Sequence, residues 1–257
     1  FQDAFSAVWS GQTENDRYNH LVVGARLDWR TVALLRLYGR YMKQLGSSFS
    51  QDFIADTLAT NLELTRNLVA LFRCLFDPKL LESHGDEYGR AERLNEKITD
   101  MLDQVSNLNA DRVLRSYLQL INATKRTNFF QLDAEGAIKP YISVKLAPRE
   151  ISDAPEPRPM FEIFVYSPRM EGVRLRAGKV ARGGLRWSDR LEDYRTEVLG
   201  LVKAQQVKNA VIVPTGAKGG FVAKQMPRNP SREVFLEEGI ACSSRILRKT
   251  SVLKDIS

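Results

Sequence analysis

The chain has very little cysteine: two residues, Cys74 and Cys242, in 257. Neither has a second cysteine or a histidine at metal-ligand spacing, which argues against a disulfide framework or a zinc module. Such usage fits a reducing, cytoplasmic setting with inert, buried thiols. No stretch approaches 18 uninterrupted apolar residues, so no membrane-spanning helix is expected. The opening FQDAFSAVWSGQ does not begin with Met and lacks the basic, apolar, small-residue order of a secretion signal. It reads as a cut through a longer protein or as a processed end. No G-x-G-x-x-G occurs anywhere, and no repeat or low-complexity segment stands out.

What is present is globular in composition, with 43% apolar and 27% charged residues, enough for one large domain or two modest ones. The net charge of +7 is local. Residues 172–225 hold eleven Lys/Arg against four Asp/Glu, while the remainder balances at 27 of each. Such a field draws anions. The cations are interleaved with glycines and apolar runs rather than set in a continuous stripe, which favours small carboxylates or phosphates over nucleic acid.

The first half reads as helical. Asp28 caps a helix whose Leu34, Leu37, Tyr38, Tyr41 and Leu45 recur at helical spacing before Gly46 ends it. Ser50 caps a second helix through Ala59, and Thr60-Asn61-Leu62-Glu63 has the form of a capping box for a third, ending at Asp77-Pro78. Residues 91–105 place Leu94, Ile98, Met101, Leu102 and Val105 on one face, and Asn109 is set to cap a helix running to Thr124. The period then changes. Residues 138–147, 160–167 and 173–181 read as strands, with the proline-rich ISDAPEPRP between the first two. Residues 191–207 and 231–242 read as helices, and 209–214 as a short buried strand. The expected class is α/β: a helical region over 1–130, a mixed α/β substrate-binding portion over 131–242, and an aberrant or frayed tail over 243–257, with no Rossmann domain.

Chemistry concentrates in two glycine segments. In Pro214-Thr215-Gly216-Ala217-Lys218-Gly219-Gly220 the glycines are expected to form a turn with unusual backbone angles that presents Lys218 into a cleft. The phosphate-loop spacing G-x-x-x-x-G-K-[ST] is not met, since Gly219 and Phe221 stand where other residues are needed. In Arg182-Gly183-Gly184-Leu185-Arg186, a bend at the glycines lets Arg182 and Arg186 project near one opening, and arginine suits bidentate carboxylate recognition. Lys203 and Lys208 are five residues apart, about 140° around a helix, so only one faces a common cleft. Lys208, nearer the turn, is the better candidate. Crowding by Arg182, Arg186 and Lys208 in a closed cleft is expected to lower the pKa of Lys218 and leave an amine able to act as a base.

The run KVARGGLRWSDRLEDYRTEVLGLVKAQQVKNAVIVPTGAKGGFV, residues 179–222, resembles the catalytic segment of the large bacterial NAD-dependent glutamate dehydrogenases. Smaller glutamate dehydrogenases share a looser K-G-G-[IM]-R, a later lysine and P-x-G-G-A-K-G-G. The resemblance implies oxidative deamination of L-glutamate to 2-oxoglutarate and ammonium, with hydride passing to NAD. It implies Lys218 as the catalytic lysine beside the α-carbon and Lys208 as a substrate-binding lysine. Arg182 stands where small members carry a substrate-binding lysine, and Gly183, Gly184 and Arg186 belong to the pocket turn. The loop before Lys218 has one glycine fewer than in small members.

The resemblance also implies that the NAD-binding domain and the catalytic aspartate follow this segment, so neither is assigned to a residue here. No metal is implied. Glutamate and 2-oxoglutarate are the expected partners, with no nucleic acid and no membrane, and a homo-oligomer for the full-length protein. The expectation is a glutamate dehydrogenase fragment, inactive alone. The alternative is a non-catalytic domain whose basic cleft binds small anions or a protein partner.

Overall fold

A computed structural model describes residues 1–83, 87–178, 183–208, 216–227 and 230–252. They form ten α-helices, two short 3-10 turns and a six-stranded sheet, in two compact units. The first comprises residues 1–42, 48–122 and 129–139, and the second residues 43–47, 123–128 and 140–257.

The first unit is built from α1 (Gln2–Trp9), α2 (His20–Gly24), α3 (Trp29–Gln44), α4 (Gln51–Thr60), α5 (Leu62–Phe76), α6 (Pro78–Ser83), α7 (Glu87–Leu102) and α8 (Leu108–Ala123). Asp28 caps α3 as its sequence requires: one carboxylate oxygen accepts from the Thr31 amide at 2.9 Å and the other from the Thr31 hydroxyl at 2.6 Å. The apolar stripe of α3 places Leu34, Leu37, Tyr38 and Tyr41 in the core, and Gly46 takes φ +98°, a left-handed geometry common just past a helix end. Replacing Asp28 by Ala is expected to destabilise the chain by about 0.5–2 kcal/mol. Urea unfolding measures this, and an unchanged midpoint would remove the capping argument.

Two caps differ from expectation. Thr60 is the last residue of α4, and its hydroxyl donates back to the Asp56 carbonyl at 2.9 Å. Asn61, which precedes α5, makes no side-chain cap. The capping box therefore does not form, because one short helix runs directly into the next. The α8 cap is Asn107 rather than Asn109: its side-chain oxygen accepts from the amides of Asn109 and Ala110, each at 3.0 Å. The core joins Tyr38, Phe72 and Tyr117 edge to face, and the Tyr117 hydroxyl donates to the Leu35 carbonyl at 2.8 Å.

The second unit carries β1 (Thr124–Thr127), β2 (Ile142–Leu146), β3 (Phe161–Tyr166), β4 (Met170–Arg176), β5 (Leu185–Trp187), α9 (Tyr194–Lys208), β6 (Ala217–Ala223) and α10 (Arg232–Val252). The strand order is β1-β2-β3-β4-β6-β5. The first four form an antiparallel meander, β6 pairs antiparallel with β4, and β5 joins β6 in parallel across the α9 crossover. Thr124 leaves the expected helix for β1, where its branched side chain suits a strand. The strand expected from Ile138 begins at Ile142, beyond Pro140, which has no amide hydrogen to give a ladder. Residues 209–214 lie outside the described residues.

The sheet has two faces, fixed by alternation. On one, Val198 of α9 lies close above Gly220. The cross-strand register puts Lys218, Leu175 and Glu162 on that same face. On the other, Ile163, Val165, Met170 and Phe221 pack with Cys242 of α10. There Trp187 stacks on Phe221 at 5.7 Å and on Phe235 at 4.1 Å between ring centroids.

Candidate functional site

The two glycine segments, far apart in sequence, meet along β5 and β6. Leu185, Arg186 and Trp187 register with Gly219, Gly220 and Phe221, and the Gly184 carbonyl accepts from the Gly219 amide at 3.1 Å. Gly183 lies so close to Ala217 that a Cβ on it would overlap the Ala217 carbonyl oxygen. The turn expected around Lys218 is instead a strand. Among the described glycines only Gly11, Gly46 and Gly136 have positive φ, so Gly219 and Gly220 are not there for left-handed angles. They are there for close approach. A Cβ at Gly219 would strike Leu185, and one at Gly220 would strike Val198. Pairing on both sides of β6 outweighs the weak strand preference of glycine.

Lys218 is half-buried in β6, on the α9 side of the sheet. Arg186 is exposed and ion-paired with Glu197 of α9, whose other oxygen accepts from the Ser188 hydroxyl at 2.7 Å. The carboxylate at the start of α9 thus holds the strand carrying Arg186. Gly183 is half-buried and Gly184 exposed. Lys203 is exposed on α9. Lys208 is the last residue of α9, but its side chain lies outside the described residues, as does the whole of Arg182. Among the described residues no group of three or more His, Cys, Asp or Glu could hold a metal ion, and no helix is long and apolar enough to cross a membrane.

Sequence reasoning missed the ion pair beneath this site. The Arg195 guanidinium of α9 donates to both Glu162 oxygens of β3 at 2.8 Å, and both side chains are fully buried. Gln44 joins them: its oxygen accepts from the Arg195 amide at 3.0 Å and its nitrogen donates to the Leu191 carbonyl at 2.7 Å. The available signal was Glu162 itself, a lone acid in the apolar strand Phe161-Glu-Ile-Phe-Val-Tyr, where a buried charge calls for a partner.

Residues 97–256 match the family model described as "Bacterial NAD-glutamate dehydrogenase, catalytic domain". The chain belongs to that family. Residues 13–78 match a second model from the same enzymes, "Glutamate dehydrogenase, helical motif 3". A protein of Halomonas elongata named NAD-specific glutamate dehydrogenase is 56% identical over 248 residues, 96% of this chain. Proteins of the same name from Pseudomonas aeruginosa and Mycobacterium tuberculosis are 55% and 47% identical, each over 94% of this chain. The chain spans 15% of the length of each of these glutamate dehydrogenases.

Proposed function

We propose that this chain carries the glutamate-recognising part of an NAD-dependent glutamate dehydrogenase acting in amino-acid catabolism. The whole protein would oxidatively deaminate L-glutamate to 2-oxoglutarate and ammonium. The observation that carries this reading is the meeting of Gly183–Arg186 with Ala217–Gly220, through the close approach of Gly183 to Ala217, the Gly219-to-Gly184 hydrogen bond and the β5–β6 pairing. It sets the catalytic-lysine candidate Lys218 beside the glycine turn that follows Arg182. Glutamate brings two carboxylates, for which Lys208 and the bidentate fork of Arg182 are the proposed cations. Lys218 is placed at the α-carbon, where its side-chain nitrogen helps to activate water and polarise the imine. Arg186, tied to Glu197, positions the turn formed with Gly183 and Gly184.

NAD is the hydride acceptor in this proposal. The described residues do not fit it. Neither strand-to-helix connection, 188–193 after β5 nor 224–231 after β6, contains the glycine that a pyrophosphate cradle needs. No step is therefore assigned to these residues through NAD, and turnover is proposed only for the whole protein. That protein is proposed to be a cytoplasmic homo-oligomer.

Calorimetric titration of 2-oxoglutarate into the 257-residue chain tests the reading. Binding is expected, and Gly183→Ala is expected to weaken it about ten- to a hundredfold, because the new methyl must displace the Ala217 backbone next to Lys218. Equal affinity in the two proteins, or no binding to the unsubstituted chain, would count against it.

A further inference from the structure

The short strand β5 is held on both faces. Trp187 stacks between Phe221 and Phe235 on the α10 side. Its neighbours Arg186 and Ser188 both reach α9, where a single carboxylate takes them together. One Glu197 oxygen accepts from Arg186 Nε and the other from the Ser188 hydroxyl at 2.7 Å. Ser188 is locked in turn: its amide donates to the Phe221 carbonyl at 2.8 Å, and its hydroxyl accepts from the Arg190 amide at 3.1 Å. Gly220, the register partner of Arg186, allows this close approach. A Cβ there would strike Val198, the residue after Glu197, and push the first turn of α9 away from β5. The pair itself is lopsided. The Glu197 side chain is 17% exposed and that of Arg186 56%, so the acid is the anchor and the cation the reaching group. Among the described residues only Nε of Arg186 is engaged, and its two terminal amino groups make no hydrogen bond or ion pair. Lys218 lies on the same face, two residues along β6 from Gly220.

We propose that Glu197 is a positioning residue for substrate binding: by holding Nε, it aims the terminal amino groups of Arg186 at a carboxylate of the substrate beside Lys218. An arginine tethered at Nε keeps the edge formed by its two terminal nitrogens, which matches a carboxylate in two parallel bonds. The tether also removes rotamer freedom before the substrate arrives, so less is lost on binding. Ser188 holds the carboxylate from its other side, which fixes Glu197 while Arg186 stays exposed. The proposal rests on the glutamate reading and deepens it, by adding Arg186 to the substrate cations and giving it an orienting acid.

The test is steady-state kinetics of the full-length enzyme. Glu197→Gln keeps the shape of the side chain and loses the charge-assisted bond. It is expected to raise KM for glutamate about tenfold, with kcat and the KM for NAD changed by less than about twofold. Arg186→Met should raise KM for glutamate at least as much. In the Arg186→Met background, Glu197→Gln should add less than about twofold, because Glu197 acts through Arg186. Ser188→Ala removes one of the two holds on the carboxylate and should raise KM about threefold. Asp193→Asn breaks an exposed pair with Arg190 just before α9 and should leave KM unchanged. If Glu197→Gln lowers the circular dichroism signal, Ser188→Ala carries the test, and an unchanged KM there overturns the proposal. So would an unchanged KM in a folded Glu197→Gln enzyme, effects that multiply in the double variant, or a matching rise in the KM for NAD. A full-length enzyme that does not act on glutamate would overturn the glutamate reading itself, and the proposal with it.

Discussion

Replacing Lys218 by Met in the full-length enzyme is expected to lower the rate of glutamate deamination by about 10²–10⁴-fold, the usual range for loss of a positioned acid–base group. Methionine keeps most of the alkyl volume of lysine, so β6 should stay seated between β4 and β5. The side chain is half-buried on the α9 face and not in the core, so the folding cost should stay within about 1 kcal/mol. A loss confined to kcat places the lysine at the reacting atoms. A loss confined to KM makes it a substrate-binding cation that acts equally in ground and transition states. Activity within a few-fold of the unsubstituted enzyme would sink the assignment.

Glu162→Gln is expected to be the most destabilising conservative change in the second unit. The pair with Arg195 is fully buried, and removing the carboxylate charge takes from the guanidinium its buried ion-pair partner in β3. Breaking such a pair costs about 3–5 kcal/mol, a large share of the roughly 5–15 kcal/mol that holds a typical domain together. The pair also fastens α9 to β3, so the same change should loosen the helix above Lys218. Replacing both partners together, Glu162→Leu with Arg195→Met, should recover much of the loss, because neither charge then needs desolvation. Urea unfolding of Glu162→Leu, Arg195→Met and the double variant gives the coupling directly. A cost below about 1 kcal/mol for Glu162→Gln would show that the pair contributes little.

The helices of the first unit were largely legible in the sequence, because their signals are local. Asp28 and Ser50 cap where their side-chain oxygens predict, and the stripe from Leu34 to Tyr41 is buried. The errors also have local causes. Thr60 has the composition of a cap but is absorbed into α4, and Asn107 and Asn109 offer the same chemistry two residues apart. The strand at Lys218 could not be read locally. Three glycines within Gly216–Gly220 argue for a turn, and only the flanking strands β4 and β5 make them a strand. The proximity of the two glycine segments was expected from their shared chemistry of glycines and cations and from family resemblance, not from periodicity. The faces on which Lys218, Glu162 and Arg174 lie follow from register, which sequence alone does not give.

The position of β6 bears on the order in which the chain folds. Strands β1 to β4 can zip up as a meander between near neighbours, but β6 must close the loop from Arg176 to Ala217 before it pairs with β4, and only then can the short β5 find its parallel partner. The glycine contact at Gly183 and the placement of Lys218 are therefore expected to form late. Amide exchange should show this order: the amides of β3 slow, and those of Leu185–Trp187 and the adjoining half of β6 opening together at lower free energy.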